Sequence, residues 1–585
     1  MFDLKIINGT IVDGTGAKSF KGNLSVKDGK IAEIGTCDGA ANKTIDAAGA
    51  IVTPGFVDLH THYDGQISWD DAMQPSVNHG VTTAIMGSCG VGFAPVHKQD
   101  HDLLIRLMEG VEDIPGVALA EGLTWDWESF PEYMDSIDSF PHAIDFAVQV
   151  PHDPLRVYVM GDRATYDHPA NAEDIAEMRR LTREALKAGA VGFTTGRSDV
   201  HRSADGDWTP SSEATVDELC GIAKAFDGLD HGVLQLVNDF NIEREGDHFD
   251  AEFDIIEAYA KTGGKHPTSI SLMQRDFEPN QWQRIIKRAE QAGEKGITIR
   301  MQVAPRAIGV MIGLQCTFHP FMGFPSYKAI ATLPLSERVA AMQQPEFKAR
   351  LLGEKSEKLA GDGSSVPPLV DTFLNAIDMV ACKIFELGEH PSYEQPIENS
   401  LYKHAQAKGV STLEAIYDAL LKDDGKALLY FPIYNYTEFN YDNVKTMMDH
   451  PLALMGLSDG GAHVGTVCDA SFPTYLLSYW TKGRETGEHI KLERAVQMLS
   501  QDIANYVGMH DRGTLEVGKK ADINIIDIDN LSLKQPRMVK DLPAGGQRLL
   551  QDAVGYRATL VSGVPVVEND VLNAERPGRL VRMGQ

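Results

Sequence analysis

A chain of 585 residues is too long for one simple core, and 43% hydrophobic with 23% charged residues is an ordinary globular composition, so one large domain with additions, or two to four units, is expected. The formal net charge of -29 argues against nucleic acid and against an anionic membrane surface, since either would be repelled over the whole molecule. No apolar run of about eighteen residues offers a membrane span. The six cysteines, at 37, 89, 220, 316, 382 and 468, lack the paired short spacings of a zinc ribbon or a disulfide framework. With no targeting pattern after Met1, a reducing, cytoplasmic location is expected.

Residues 1–53 alternate short apolar runs with Gly, Asn and Asp turns, as in Lys5-Ile6-Ile7-Asn8-Gly9 and Leu24-Ser25-Val26-Lys27-Asp28-Gly29. These are hairpin signals, and they predict a small antiparallel unit. The far end repeats the grammar in Ala521 to Asp527 and Ala558 to Val567, so residues 1–53 and 501–585 are expected to pair into one β-sandwich.

The next stretch, Pro54-Gly55-Phe56-Val57-Asp58-Leu59-His60-Thr61-His62-Tyr63-Asp64, reads as a buried strand ending in two histidines. Side chains alternate across a strand, so His60 and His62 point the same way and can grip one cation. Beyond it, short apolar runs at 82–87, 155–161, 190–195, 232–237, 268–273 and 297–302 alternate with helix-like stretches such as Asn171 to Ala188. Repeated strand and helix units imply a parallel sheet, and about eight of them close most economically into a barrel whose chemistry gathers at the C-terminal strand ends. The expected class is therefore α/β, a TIM-type (β/α)8 barrel over residues 54–500. Residues from about 320 to 445, including the polar Gly361-Asp362-Gly363-Ser364-Ser365, break the rhythm. They are expected to form an inserted helical segment, either a lid over the barrel mouth or an elaboration remote from it.

Several stretches run in a specific order: the His60 and His62 strand, Gly80-Val81-Thr82-Thr83 leading to Gly87-Ser88-Cys89-Gly90-Val91-Gly92, Met108 to Pro115, Gly456-Leu457-Ser458-Asp459-Gly460-Gly461-Ala462-His463, and Asp511-Arg512-Gly513 running on to Asp522. In that order the chain resembles the metal-dependent amidohydrolase superfamily, and within it the D-aminoacylase branch, the N-acyl-D-amino-acid deacylases. The resemblance implies zinc-assisted hydrolysis of an N-acyl-D-amino acid. It also implies that His60, His62 and Cys89 are metal ligands and that Asp459 is the proton-handling aspartate, with a ligand role as well.

The chain departs from that branch where two further metal histidines are expected, since the corresponding runs read Leu234-Gln235-Leu236-Val237 and Ile270-Ser271-Leu272-Met273-Gln274. The bridging lysine of other amidohydrolases is also absent from Phe193-Thr194-Thr195-Gly196-Arg197. A catalytic zinc wants about three protein ligands plus water, so one zinc ion is expected rather than two. For a substrate carboxylate, Arg163, Arg197 and Arg306 offer fixed forks. His201, Gln235 and His463 are further expected pocket residues. The expected partner is a small acylated amino acid or related amide, and a homo-oligomer stays open. Two other functions fit the same residues: opening of a cyclic amide or lactone, and a small-molecule binding protein with a degenerate metal site.

Overall fold

The computed structural model describes residues 1–241, 244–359 and 369–584. Eight strands lie in one parallel sheet in sequence order: β1 (Phe56–Thr61), β2 (Val81–Met86), β3 (Asp145–Pro151), β4 (Gly192–Arg197), β5 (Val233–Asn238), β6 (Thr268–Ser271), β7 (Ile299–Val303) and β8 (Ala453–Met455). β1, β2, β3 and β4 are buried at every residue, as parallel strands covered on both faces must be. The ring closes between β8 and β1 beyond the end of β8, where Asp459 N–H donates to His60 O at 3.1 Å and His62 N–H to Gly460 O at 2.8 Å. This is the expected (β/α)8 barrel, and its closing seam passes through the histidine pair.

The third strand is not the run expected for it. Leu155 to Met160 lies in the helix His152–Met160, and the strand is Asp145–Pro151 just before it. A short apolar run looks the same in a buried strand and a buried helix, and Pro151 marks the change from one to the other. The helix Ala172–Ala188 begins at a capping box between Asn171 and Asp174 and ends at Gly189 in the left-handed conformation, which is the termination a Cβ-free residue favours.

Both ends of the chain build one nine-stranded sheet. Ile51–Pro54 pairs antiparallel with Ile523–Ile526 and continues directly into β1, so the terminal sheet holds the strand that carries the histidines. It is mixed rather than purely antiparallel, because Phe2–Ile11 pairs parallel with Ala41–Asp46 and Ile51–Pro54. The helix Gln501–Val507 packs on β1 and β8 instead of joining this sheet.

Between β7 and β8 the chain forms a three-stranded antiparallel sheet of Ile308–Ile312, Leu429–Tyr434 and Phe385–Glu386. Helices around it share a separate apolar cluster that includes Phe321, Phe324, Tyr417 and Leu420. The insertion touches the loop after Asp459, through Met311 N–H to Thr466 O at 2.6 Å and Thr317 N–H to Gly465 O at 3.3 Å. The Gly361 to Ser365 segment lies outside the described residues.

On the opposite face of the barrel, Arg512 donates to Asp145 at 2.7 Å and to Thr83 at 2.8 Å, and pairs with Asp511 at 3.0 Å. Lys520 joins Asp145 at 2.9 Å and Asp522 at 2.7 Å. This network ties the starts of β2 and β3 to the terminal sheet. Burial raises the Asp145 carboxyl, but Lys520 and Arg512 outweigh it and hold the group below the usual aspartate range. Its contribution is complete above that range and fades as pH falls through the lowered value. Removing one partner leaves buried charge unpaired, so an Arg512→Met variant is expected to lose about 3–5 kcal/mol, read as a lower denaturation midpoint. An unchanged midpoint would remove this network from the account of stability.

Candidate metal centre and active site

His60 and His62 leave the end of β1 with ring centroids 5.4 Å apart, and both side chains are almost completely buried. Cys89 follows β2 with its Sγ 3.3 Å from His60 Nε2. Two glycines make that approach possible. A Cβ at Gly87 would stand 2.5 Å from Gln149 O of β3, and one at Gly90 would stand 2.9 Å from Gly196 N of β4. Cys89 between them has φ +57°, and Asp459 and His463 beyond β8 have φ +50° and +47°. Non-glycine residues pay a conformational cost there and persist where surrounding structure imposes it, a pattern that clusters at functional sites.

Asp459 Oδ1 lies 3.4 Å from His60 Nε2 and 3.9 Å from His62 Nε2, and the ligand atoms of His60, His62 and Cys89 all lie within 4.8 Å of one another. Ligands about 2.0–2.3 Å from a tetrahedral zinc stand roughly 3.3–3.8 Å apart. His60, His62 and Cys89 therefore offer three ligands to one cation of that kind, with the Asp459 carboxylate beside the two histidines. His60 Nδ1 meets Gln302 Oε1 of β7 at 2.9 Å, with Gln235 Nε2 of β5 at 3.2 Å. Nδ1 can serve only one of these: protonated, it donates to Gln302 and leaves Nε2 a lone pair toward Cys89 and Asp459, the tautomer a cation on Nε2 requires, and the Gln235 amide is then in contact with it without a hydrogen bond. Gln235 in turn accepts from Gln149 at 2.9 Å, and Gln302 donates to Ser269 at 2.9 Å.

Burial lowers the pKa of both histidines, opposed at His60 by Asp459 and reinforced at His62 by His60, His463 and His201. Both imidazoles are thus neutral, the form that binds metal. Burial pushes the Cys89 thiol well up, and Glu112, Asp459, Asp153 and Asp64 add to it.

Glu112 is the residue that sequence reading missed. Its buried carboxylate stands 3.2 Å from His62 Nδ1 and 3.5 Å from His463 Nε2, and its backbone carbonyl accepts His463 N–H. Burial, then Asp459 and Asp64, raise its pKa well above the usual range. A signal was present. In the helix His101–Glu112 the buried residues include Leu104, Leu107, Met108 and Val111, so Glu112 continues the apolar face at the 3–4 residue spacing where a charge needs a reason to be.

The other expected residues divide. His201 lies close enough to His463 and His60 that both depress it, after burial, to about 4, and Gln235 touches His60 directly. Arg163 is corrected: it is a half-exposed surface group forked onto Asp174 at 2.6 and 2.9 Å. Arg197 is buried but held by both oxygens of Glu252, at 2.8 and 2.9 Å. Arg306 pairs with Asp469 at 2.9 Å, its guanidinium 3.9 Å from the ring centroid of Tyr393. These three forks are occupied by the protein's own carboxylates.

A parallel barrel whose C-terminal mouth gathers two histidines and a cysteine around one point, with an aspartate beside them, has the site of the metal-binding barrel hydrolases. The Amidohydrolase family profile matches residues 43–567, and the chain belongs to that family. It is 26% identical to the D-aminoacylase of Alcaligenes xylosoxydans xylosoxydans over 585 residues, covering 99% of this chain and 97% of that one. It is 25% identical to the N-acyl-D-glutamate deacylase of the same organism over 588 residues, covering 99% and 96%. Its fold matches the N-acyl-D-glutamate deacylase of Bordetella bronchiseptica, solved with zinc and a phosphonate inhibitor, at a TM-score of 0.63 and 23% identity over 99% of both chains. The chain therefore groups with the D-aminoacylase branch and is a hydrolase acting on amide bonds.

Proposed function

We propose that this chain hydrolyses the amide bond of an N-acyl-amino acid, with N-acyl-D-amino acids as the substrate class, on a single zinc ion held by His60, His62 and Cys89 with the Asp459 carboxylate beside it, which leaves a fourth position for water. The convergence of these four side chains at one mouth carries the reading, and the two deacylase relatives support the substrate class. Support for one ion comes from the amides Gln149, Gln235 and Gln302, which occupy the strand ends behind His60, since neutral amides are poor zinc ligands. When bound, zinc supplies a polarised substrate carbonyl and a water acidic enough to react near neutral pH. His60 and His62 stay neutral and fixed in orientation. Asp459, with a side chain 16% exposed against 1–2% for the two histidines, faces the mouth, takes the proton from the attacking water and returns it to the leaving nitrogen.

Among the described residues no helix is long and apolar enough to cross a membrane, and all six cysteines are free thiols. Those thiols support a reducing compartment, the cytoplasm, and the net charge of -29 supports a small molecule rather than nucleic acid as partner. The test is metal content by mass spectrometry alongside turnover of N-acyl-D-amino acids, their L-forms, hydantoins and lactones. Faster opening of hydantoins or lactones would replace this reading with cyclic amide or lactone hydrolysis. No hydrolysis of any of them would favour a binding protein, and full activity in metal-free protein would remove the role given to the ligands.

A further inference from the structure

Asp459 and Asp469, both in the loop after β8, line one cavity of about 20 Å³ together with Gln66, Val464 and Arg548. A space needs roughly 10–15 Å³ to hold a water, so this one takes a single water and no substrate. Its polar walls are buried, with Asp469 at 1% exposure, Gln66 at 2% and Arg548 at 4%. Two of these walls are satisfied by the fold. Gln66 Nε2 donates to Asp70 and to Gln74 O, both at 2.7 Å, while Arg548 is forked onto Asp541 at 2.9 Å and reaches Gln74 O at 2.9 Å. Asp469 differs, because Oδ1 faces Arg306 at 2.9 Å as an ion pair yet neither oxygen makes an aligned hydrogen bond with the protein. Burial raises the Asp469 pKa, Arg306 lowers it and Asp459 raises it again, so the charge of Asp459 is felt across the cavity.

Ionised carboxylates only accept hydrogen bonds, and two of them facing one small space call for a donor with two hydrogens. A water is that donor, and if one carboxyl carries a proton the same water accepts from it and donates to the other. A cation in the same place would meet the Arg548 guanidinium. Such a bridge bears on the chemistry through the Asp459 side chain. His60 Nε2 and His62 Nε2 approach that carboxylate at 3.4 and 3.9 Å, but as metal ligands they turn a lone pair toward the site and donate no hydrogen to it. A group that takes a proton at one point and returns it at another depends on being held in place.

We propose that a single water in this cavity bridges the Asp459 and Asp469 carboxylates, and that Asp469 is, through it, the positioning residue of the proton-handling group. This rests on the functional reading above for the role of Asp459 and names what steadies that group. The first test is a crystal structure of the zinc-loaded protein at a resolution that shows ordered water. One water should lie within hydrogen-bonding distance of an oxygen of each carboxylate; an empty cavity, a water touching only one of them, or a cation ringed by oxygen ligands overturns the proposal. The second test pairs structures with turnover of N-acetyl-D-leucine in two variants. Asp469→Asn removes one anchor of the water but also the partner of Arg306, whereas Val464→Ile keeps that ion pair and fills the cavity with one more methyl. Both structures should lack the bridging water, and in both kcat should fall about tenfold, a part of what positioned proton transfer contributes, with KM and zinc content unchanged. The double variant should lose no more than either single one, because both remove the same water. A variant that lacks the water at full kcat, or keeps it at reduced kcat, overturns the proposal, as do additive losses or a change confined to the unfolding midpoint. If the intact protein hydrolyses no amide, the functional reading fails while the crystal structure still decides the bridge, so the two failures are distinguishable.

Discussion

An Asp459→Asn variant is expected to lose about 10²–10⁴-fold in kcat, the range that positioned proton transfer contributes, while still retaining metal. The two effects separate because the residue stands at two interfaces. Its Oδ1 is 3.4 Å from His60 Nε2, inside the tetrahedral spacing, yet its side chain is the exposed member of the group. Its backbone N–H, bonded to His60 O at 3.1 Å, and its φ of +50° fix where the carboxylate points. Asparagine tolerates that backbone conformation and keeps an oxygen of similar shape, so His60, His62 and Cys89 retain the cation. What the amide loses is the capacity to accept a proton and return it. Saturating turnover and metal stoichiometry, measured on the same preparation, decide the matter: full turnover sinks the proton role, and loss of metal with loss of turnover would make Asp459 chiefly a ligand.

The legible parts of this chain were those whose signal is local. His60 and His62 announce themselves because the strand period is two and the partner is the next residue but one. The helix Ala172–Ala188 is bounded by its own cap residues, Asn171, Asp174 and Gly189. Cys89 needed the surrounding Gly87-Ser88-Cys89-Gly90 pattern, which reflects contacts with β3 and β4, and so became readable through family resemblance rather than through periodicity. Arginine roles were not legible. Arg197 and Glu252 are 55 positions apart, and Arg512 and Asp145 are 367 apart; whether a guanidinium is satisfied or spare depends on such pairings, which no window of sequence contains. Leu155 to Met160 failed for another reason, since strand and buried helix share the same apolar run and only the neighbouring strand decides.

The second large effect is expected at Cys89. A Cys89→Ser variant should bind zinc more weakly by well over the roughly 10–100-fold typical of losing an outer-shell partner, and Glu112→Gln supplies that smaller benchmark in the same protein. Cys89 Sγ sits 3.3 Å from His60 Nε2, in the ring of ligand atoms. Glu112 faces the far nitrogen of His62, at 3.2 Å, and His463 Nε2, at 3.5 Å, and so acts by orienting those rings rather than by holding the ion. Without a cation, burial and four neighbouring carboxylates keep the Cys89 sulfur protonated. The thiolate that a zinc ligand must be is thus stabilised by the ion itself, and a serine hydroxyl at the same place would stay protonated and hard. Shape is nearly conserved, so the unfolding midpoint should move little while competition against a chelator separates the two variants. If Cys89→Ser holds zinc as tightly as the unaltered chain, the cysteine is a buried packing residue and the ion rests on His60, His62 and Asp459. If instead Glu112→Gln proves the weaker binder of the two, the carboxylate behind His62 has moved into the metal's own coordination, and the tetrahedral assignment fails with it.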